Sequence, residues 1–404
     1  MGETLFLNLK RLEEPDMDFQ FASRMDQFQA GIFTVLDHKR KEVEASGRKV
    51  YNLTIGTPDF KPQPHVVEAL REAALNPDKW KYALTETPEL VEAVKAWYLR
   101  RYGVQLERKQ IMSVYGSQEG LTHIAWAICD PGDVVLCPNP GYPISEMGPS
   151  LCGAKIEHYE LLPENGFLPD LDAIDPEVAK AAKMMMVSYP ANPVCVAAPR
   201  AFYEKLVAFA KKYNIIIVHD NAYSDIIFDG HEGLSFLSVP GAMDVGVEYN
   251  SLSKTYNLTG ARISFVLGNE QVVQMYTKLR SQIDYGIFLP IQAAAVAALN
   301  GPQEAVEAQR LEYQARRDAL CGGFRSIGWN VPDSQGSMFV WAPIPEKYEN
   351  SEEFCFALLE KTGVLCTPGS AFGSLGNRHV RFALTKTVEE IQEIIAVVAA
   401  SDAL

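Results

Sequence analysis

Four polar side chains stand at the ends of apolar runs, where their types could share one piece of chemistry. They are Asn192 in SYPANP, Asp220 and Tyr223 in VHDNAY, and Lys254 in SLSKTY. The lysine sits between serines in NSLSKTYNLTGARISF, a stretch of small, hydroxylated and apolar residues with one arginine further on. A solvated lysine belongs among other charges, and this one has none beside it. Brought next to a carboxylate it makes a plain buried ion pair, a common arrangement. With a phenol and an amide added, the same pair also suits a heteroaromatic aldehyde. The amine condenses with the aldehyde, the carboxylate keeps a ring nitrogen protonated, and the phenol and amide bond a ring oxygen.

A second group of residues supplies a phosphate site. VYGSQEGLTHIAWAI reads as a strand ending at Tyr115, a turn through Gly116 and Ser117, and a helix starting near Gln118. Free backbone N–H groups and the helix dipole favour a dianion at such a start. Arg262, eight positions after Lys254, adds a planar cationic fork. Taken singly, the Gly-Ser turn is an ordinary helix cap and the arginine a surface charge. Taken with the lysine and the carboxylate, they describe a ring that carries both an aldehyde and a phosphate, and pyridoxal 5'-phosphate needs each of these groups once.

The elements that must position these groups follow from the apolar pattern. DVVLCPNP, KMMMVSYP, IIIVHDN and DVGVEYNSLS are short apolar runs ending in Pro, Asn, Asp or Ser, with helical segments such as RAFYEKLVAFAKKYN between them. Continuous apolar strands alternating with helices predict a parallel sheet buried on both faces, with its ligand beyond the carboxyl ends of the strands. PHVVEALREAAL and PELVEAVKAWYLRRYG carry apolar residues at helical spacing and open with proline. Past a Gly-Pro pair near residue 300 the pattern becomes an α+β mixture, with GSMFVWAPI and HVRFALT as strands and a final helix. The expected fold is α/β, a mostly parallel sheet with helices on both faces plus a smaller α+β domain. Its divisions are an N-terminal arm and part of the small domain over 1–55, a large cofactor-binding domain over 56–300 and a C-terminal small domain over 301–404.

Composition narrows the function. The chain has 404 residues and a formal charge of -14, which disfavours a nucleic-acid or anionic-membrane partner, since these require clustered cations. Seven scattered cysteines form no C-x-x-C pair, so neither a disulfide framework nor a metal site is expected and a reducing cytoplasm fits. Charges interrupt every apolar run of MGETLFLNLKRLEEPDMDFQ, so a signal peptide is not expected there, nor a membrane span further on.

With these residues in view, NSLSKTYNLTGARISF resembles the S-x-S-K signature, arginine eight residues on, of class I/II pyridoxal-phosphate aminotransferases of fold type I. LTIGTPDF, KYALTETPELVEAV, YGSQEG, PNPGYP, SYPANP, HDNAYSDI and HVRFAL are similar to that family's other motifs. The resemblance implies that Lys254 carries the cofactor as a Schiff base and moves the substrate proton. It implies that Asp220 pairs with the ring nitrogen, Asn192 and Tyr223 bond the ring oxygen, and Tyr142 stacks on the ring. Gly116, Ser117, Gln118, Ser251, Ser253 and Arg262 would surround the phosphate, and Tyr82 would reach the phosphate of a neighbouring subunit, implying a homodimer. Arg381, with Asn192 and Gly56, would fix the substrate α-carboxylate.

The sequence departs from the usual pattern at Thr87 and Cys195, where relatives carry glycine, and at Ser264 after the arginine. Cys195 reads as packing rather than as a nucleophile, and His219 as a strand-end packing residue. The leading expectation is transfer of an amino group between an L-amino acid of alanine, glutamate, aspartate or LL-diaminopimelate type and a 2-oxo acid such as 2-oxoglutarate. A cysteine-S-conjugate β-lyase of the same fold is the alternative. A ligand-sensing domain of a transcription regulator is a third reading, disfavoured by the short acidic start.

Overall fold

The computed structural model describes residues 19–28 and 32–404. The rest of the arm expected over 1–55 lies outside the described residues. In chain order the strands are β1 (Tyr51–Asn52), β2 (Ile111–Val114), β3 (Val134–Asn139), β4 (Lys155–Glu160), β5 (Ala182–Ser188) and β6 (Ile216–Asn221). They continue with β7 (Gly246–Ser251), β8 (Ser264–Gly268), β9 (Phe339–Pro343), β10 (Val364–Leu365), β11 (Thr367–Pro368) and β12 (His379–Ala383).

The main sheet has the order β2-β8-β7-β6-β5-β3-β4. Strands β3 to β7 are mutually parallel, as their unbroken apolar runs predict, and every residue of β7 is buried. Strand β8 is antiparallel to both neighbours. Register then does the positioning: Ser188 lies opposite Asp220, Asn221 opposite Asn250, and Ser251 opposite Ser264. The polar strand ends therefore form one row along a single edge of the sheet.

Helices cover both faces. Pro64–Leu75 and Pro88–Tyr102 each open with proline, whose missing N–H is no loss in a first turn. Thr87 caps the second by accepting the Leu90 N–H at 3.2 Å. Helix Ser117–Ile128 begins one residue earlier than the sequence predicts. Its cap is Gly116 at φ +86°, a backbone shape that glycine adopts without strain.

The later strands form a three-stranded antiparallel sheet, β11-β12-β9, while β1 pairs in parallel with β10 and so ties the N-terminal segment to the C-terminal one. The long helix Glu304–Ser326 packs on β9 and on the final helix Val388–Ala399. A bidentate pair from Arg316 to Asp59, at 2.7 and 2.9 Å, fastens it to the loop that follows β1.

Candidate active site

A cavity of about 740 Å³ opens at the polar edge of the main sheet. Twelve of the residues expected to form the site line it: Gly56, Ser117, Gln118, Tyr142, Asn192, Asp220, Tyr223, Ser251, Ser253, Lys254, Arg262 and Arg381. Two do not. Gly116 lies immediately behind, and Tyr82 is 79% exposed with its ring 4.8 Å from that of Tyr285.

Lys254 is carried by a one-turn helix, Leu252–Thr255, whose start is capped by the Ser251 hydroxyl accepting the Ser253 N–H at 3.2 Å. Its Nζ donates to the Gly56 carbonyl at 2.6 Å. Burial, then the positive charges of Arg262 and Arg381, bring the ammonium down to about 8, against a smaller opposing pull from Asp220. An amine so placed spends far more time uncharged at neutral pH than an ordinary lysine.

Asp220 is the last residue but one of strand β6. Its Oδ1 is shut off from solvent and has no hydrogen-bond partner among the described residues. Burial pushes its carboxyl up to about 6; His219 and Lys254 draw it down while Glu248 raises it. Sequence reasoning expects its charged form to be favoured, which requires a cation at Oδ1; in the chain alone, burial dominates. Tyr223 beside it is buried, and its phenol is pushed above its ordinary range by that burial.

Arg381 points inward from β12. Its Nη1 donates to Asn192 Oδ1 at 2.9 Å and its Nη2 to the Thr54 carbonyl at 3.3 Å, while Nε has no partner among the described residues. The guanidinium lies 4.0 Å from the centroid of Phe339 and 4.6 Å from that of Phe372. Burial lowers it to about 10, so it stays cationic at neutral pH. A fork with an unpaired edge suits a carboxylate.

The phosphate end is equally specific. A Cβ added at Gly116 would sit 2.2 Å from Arg262 Nη2, so the turn must be glycine for the arginine to cross the helix start. Hydroxyls run in a chain from Ser117 to Ser264 (3.3 Å) and from Ser264 to Ser251 (2.9 Å). The Tyr142 hydroxyl stands 3.4 Å from Gln118 Oε1. Gly56 is likewise required, because a Cβ there would lie 2.7 Å from the Phe339 ring.

Several neighbours escaped sequence reasoning. Phe339 was legible only as part of the strand GSMFVWAPI and Ser264 only as a departure from the family pattern, while Phe372 and Thr54 gave no signal, since each meets the site through a contact far along the chain. Cys195 is buried, stands at φ +61° and donates to the Pro193 carbonyl at 2.9 Å; burial raises its thiol to about 11, which leaves it a packing residue. His219 is also wholly buried, with Nδ1 2.9 Å from Glu248 Oε2 and Nε2 3.1 Å from the Tyr203 hydroxyl.

These residues fit pyridoxal phosphate. The orphaned Asp220 oxygen meets the ring nitrogen's need for an acceptor, a helix start with Arg262 meets the phosphate, and a discharged lysine meets the aldehyde. The family model for aminotransferase class I and II matches residues 48–398. LL-diaminopimelate aminotransferase of Moorella thermoacetica is 41% identical over 378 residues, 93% of this chain and 97% of its own length. The solved structure of substrate-bound BacF from Bacillus subtilis matches with a TM-score of 0.90 at 38% identity, covering 95% of this chain and 98% of its own. An aspartate aminotransferase double mutant of Thermus thermophilus matches at 0.88 with 26% identity, covering 95% and 100%. The chain belongs to the class I and II aminotransferases and is a pyridoxal-phosphate-dependent enzyme of that class.

Proposed function

We propose that the chain moves an amino group from an L-amino acid of alanine, glutamate, aspartate or LL-diaminopimelate type to a 2-oxo acid such as 2-oxoglutarate, with Lys254, Asp220 and Arg381 as the working groups. The observation that carries this reading is their convergence: an uncharged-leaning amine, an unpartnered carboxylate oxygen and an arginine with a free edge face one cavity. The likeness to the LL-diaminopimelate aminotransferase of Moorella thermoacetica supports the diaminopimelate end of that range.

When bound, pyridoxal phosphate supplies the electron sink for the bond broken at the substrate α-carbon. Every other part of the work falls to side chains. Arg381 and Asn192 grip the α-carboxylate and so turn one α-carbon bond into line, a positioning effect. Lys254 Nζ takes the proton from the substrate α-carbon and would return it to the carbon on the far side of the amino nitrogen, two atoms away. Asp220 holds a proton at the ring nitrogen, and Tyr223 and Asn192 hold the ring oxygen. Gly116, Ser117, Gln118, Ser251, Ser253 and Arg262 hold the phosphate, Tyr142 covers the ring, and Gly56 closes the substrate side.

A homodimer completes the reading. Trp80, Tyr82 and Leu84 are each about two thirds exposed or more, beside Tyr285 and Phe288. An apolar patch of that kind marks an interface, and Tyr82 would there serve a second copy. The proposed domain divisions stay at 55 and 300, supported by the pairing of β1 with β10 and by the break after helix Leu289–Asn300. Seven free cysteines support a reducing cytoplasm, and among the described residues no helix is long and apolar enough to cross a membrane.

The test is a half-reaction. Each amino acid is added to the cofactor-loaded protein, and the visible band should be lost and then return on addition of 2-oxoglutarate. Steady release of pyruvate and thiol from cystathionine, with no acceptor present, would instead make the protein a lyase.

A further inference from the structure

A one-turn helix cannot satisfy its own last carbonyls. In Leu252–Thr255 the N–H groups of Tyr256 and Leu258 both fall on the Leu252 carbonyl, at 3.2 and 3.4 Å. The Lys254 carbonyl is taken instead by a side chain 55 positions away: Gln309 Nε2 donates to it at 2.8 Å. The other end of that amide is also used, since Gln309 Oε1 accepts from Asn257 Nδ2 at 2.7 Å. Asn257 stands in the left-handed region at φ +59°, three residues past the lysine. One amide, only 5% exposed, therefore grips two points of the lysine-bearing turn.

The opposite side of the turn is tethered as well. The Thr255 hydroxyl donates to Asp225 Oδ2 at 2.9 Å, and Arg101 Nε bonds Asp225 Oδ1 at 2.9 Å. Neither Gln309, Asn257, Thr255 nor Asp225 lines the cavity. Gln309 belongs to the helix Glu304–Ser326, which also carries Arg316 and its pair with Asp59, three residues beyond the Gly56 carbonyl that holds Lys254 Nζ. The same helix thus braces both the lysine's backbone and the loop its amine points at.

We propose that Gln309 is a positioning residue for Lys254: it fixes the backbone from which the amine swings between the Gly56 carbonyl and the reacting atoms. The inference rests on the reading of Lys254 as the reacting lysine. The amide supplies a donor to one point and an acceptor to the other; a glutamate keeps the second contact and sets a carboxylate against the Lys254 carbonyl, and a methionine of similar volume makes neither.

The experiment uses the full chain loaded with pyridoxal phosphate, as wild type, Gln309→Met and Gln309→Glu, in single turnover with the best amino acid of the half-reaction screen. Both variants should retain the visible band and an amino-acid KM within about twofold of wild type, while the rate of band loss falls about 10- to 100-fold, the scale expected when a reacting group is misplaced. The pH midpoint of the visible band should also move, a readout that a merely structural glutamine leaves in place. Should Gln309→Met fail to fold, Gln309→Glu carries the test, and Thr255→Val, which cuts the opposite tether, should show the same split between rate and KM. Variants that turn over within twofold of wild type overturn the role of Gln309 alone, as do variants whose KM rises in step with the fall in rate. A wild type whose band no amino acid discharges overturns the underlying reading instead.

Discussion

Asp220 and Glu248 are carboxylates on adjacent strands of one sheet, and they end in opposite situations. Glu248 lies directly opposite His219 and is wholly buried, with four groups around its two oxygens. Tyr98 and Ser235 hydroxyls donate to Oε1 at 2.8 and 2.7 Å; the Phe236 N–H donates to Oε2 at 2.7 Å, and His219 Nδ1 stands 2.9 Å from it. Asp220, one residue past His219, faces the other side of the sheet with an oxygen that nothing among the described residues meets. A carboxylate completed by its own chain is architecture. One left open in a cavity is a place for something the chain does not supply, because buried polar groups in folded proteins are otherwise paired.

This contrast breaks cleanly under substitution. Asp220→Asn should cost roughly 10²- to 10³-fold in turnover, the scale on which removing one electrostatic stabiliser acts. In the cofactor-free protein it should do the reverse to stability. Asp220 titrates near 6 when folded against an ordinary 3.8, so its contribution to stability is lost as pH rises between those values. Above pH 6 the penalty is full, at most about 3 kcal/mol, and asparagine removes it. Glu248→Gln should lower stability by about 2–4 kcal/mol, because a completed network loses its charge and one oxygen becomes an unwanted donor. Urea unfolding of the cofactor-free proteins at pH 7.5 measures both. Equal destabilisation by the two substitutions would erase the distinction.

A smaller effect sharpens the same point at the lysine. With the ammonium brought down to about 8, the uncharged amine gains about tenfold per pH unit below that value and levels off above it. Stopped-flow capture of pyridoxal phosphate by the cofactor-free chain should accelerate with that slope and flatten past pH 8. A rate that is flat from pH 6 to 9 would mean that the amine is not held as the site geometry requires.

Much of this was written in the chain. Strand ends announced themselves because each apolar run stops at a polar residue, and a buried parallel strand has no other place for one; Asn192, Asp220 and Lys254 were legible for that reason. The glycine at 116 was legible as a turn, although its close approach to Arg262 was not. The direction of β8 gave no signal in its composition, since ISFVLG is as apolar as the parallel strands of the same sheet. What decides it is the link from Ser251 to Ser264, which holds only one helical turn and a 3₁₀ turn, where a parallel crossover usually carries a full helix back along the sheet. Glu248, Gln309 and Phe372 were beyond reach because their partners lie tens to hundreds of positions away, and only the folded register brings them together. Twelve residues that line the cavity were legible from their types; the side chains that hold them in place were not.

The central claim is that the amine at 254 is the group that captures the cofactor aldehyde, with the acid at 220 below it. Its most direct measurement is borohydride reduction of the cofactor-loaded protein followed by peptide mass spectrometry. The account predicts that the visible band disappears and that one reduced pyridoxyl group per chain is found on the peptide containing SLSKTY, at Lys254. A label on another lysine, or a protein that takes up no pyridoxal phosphate and shows no band to reduce, would contradict it.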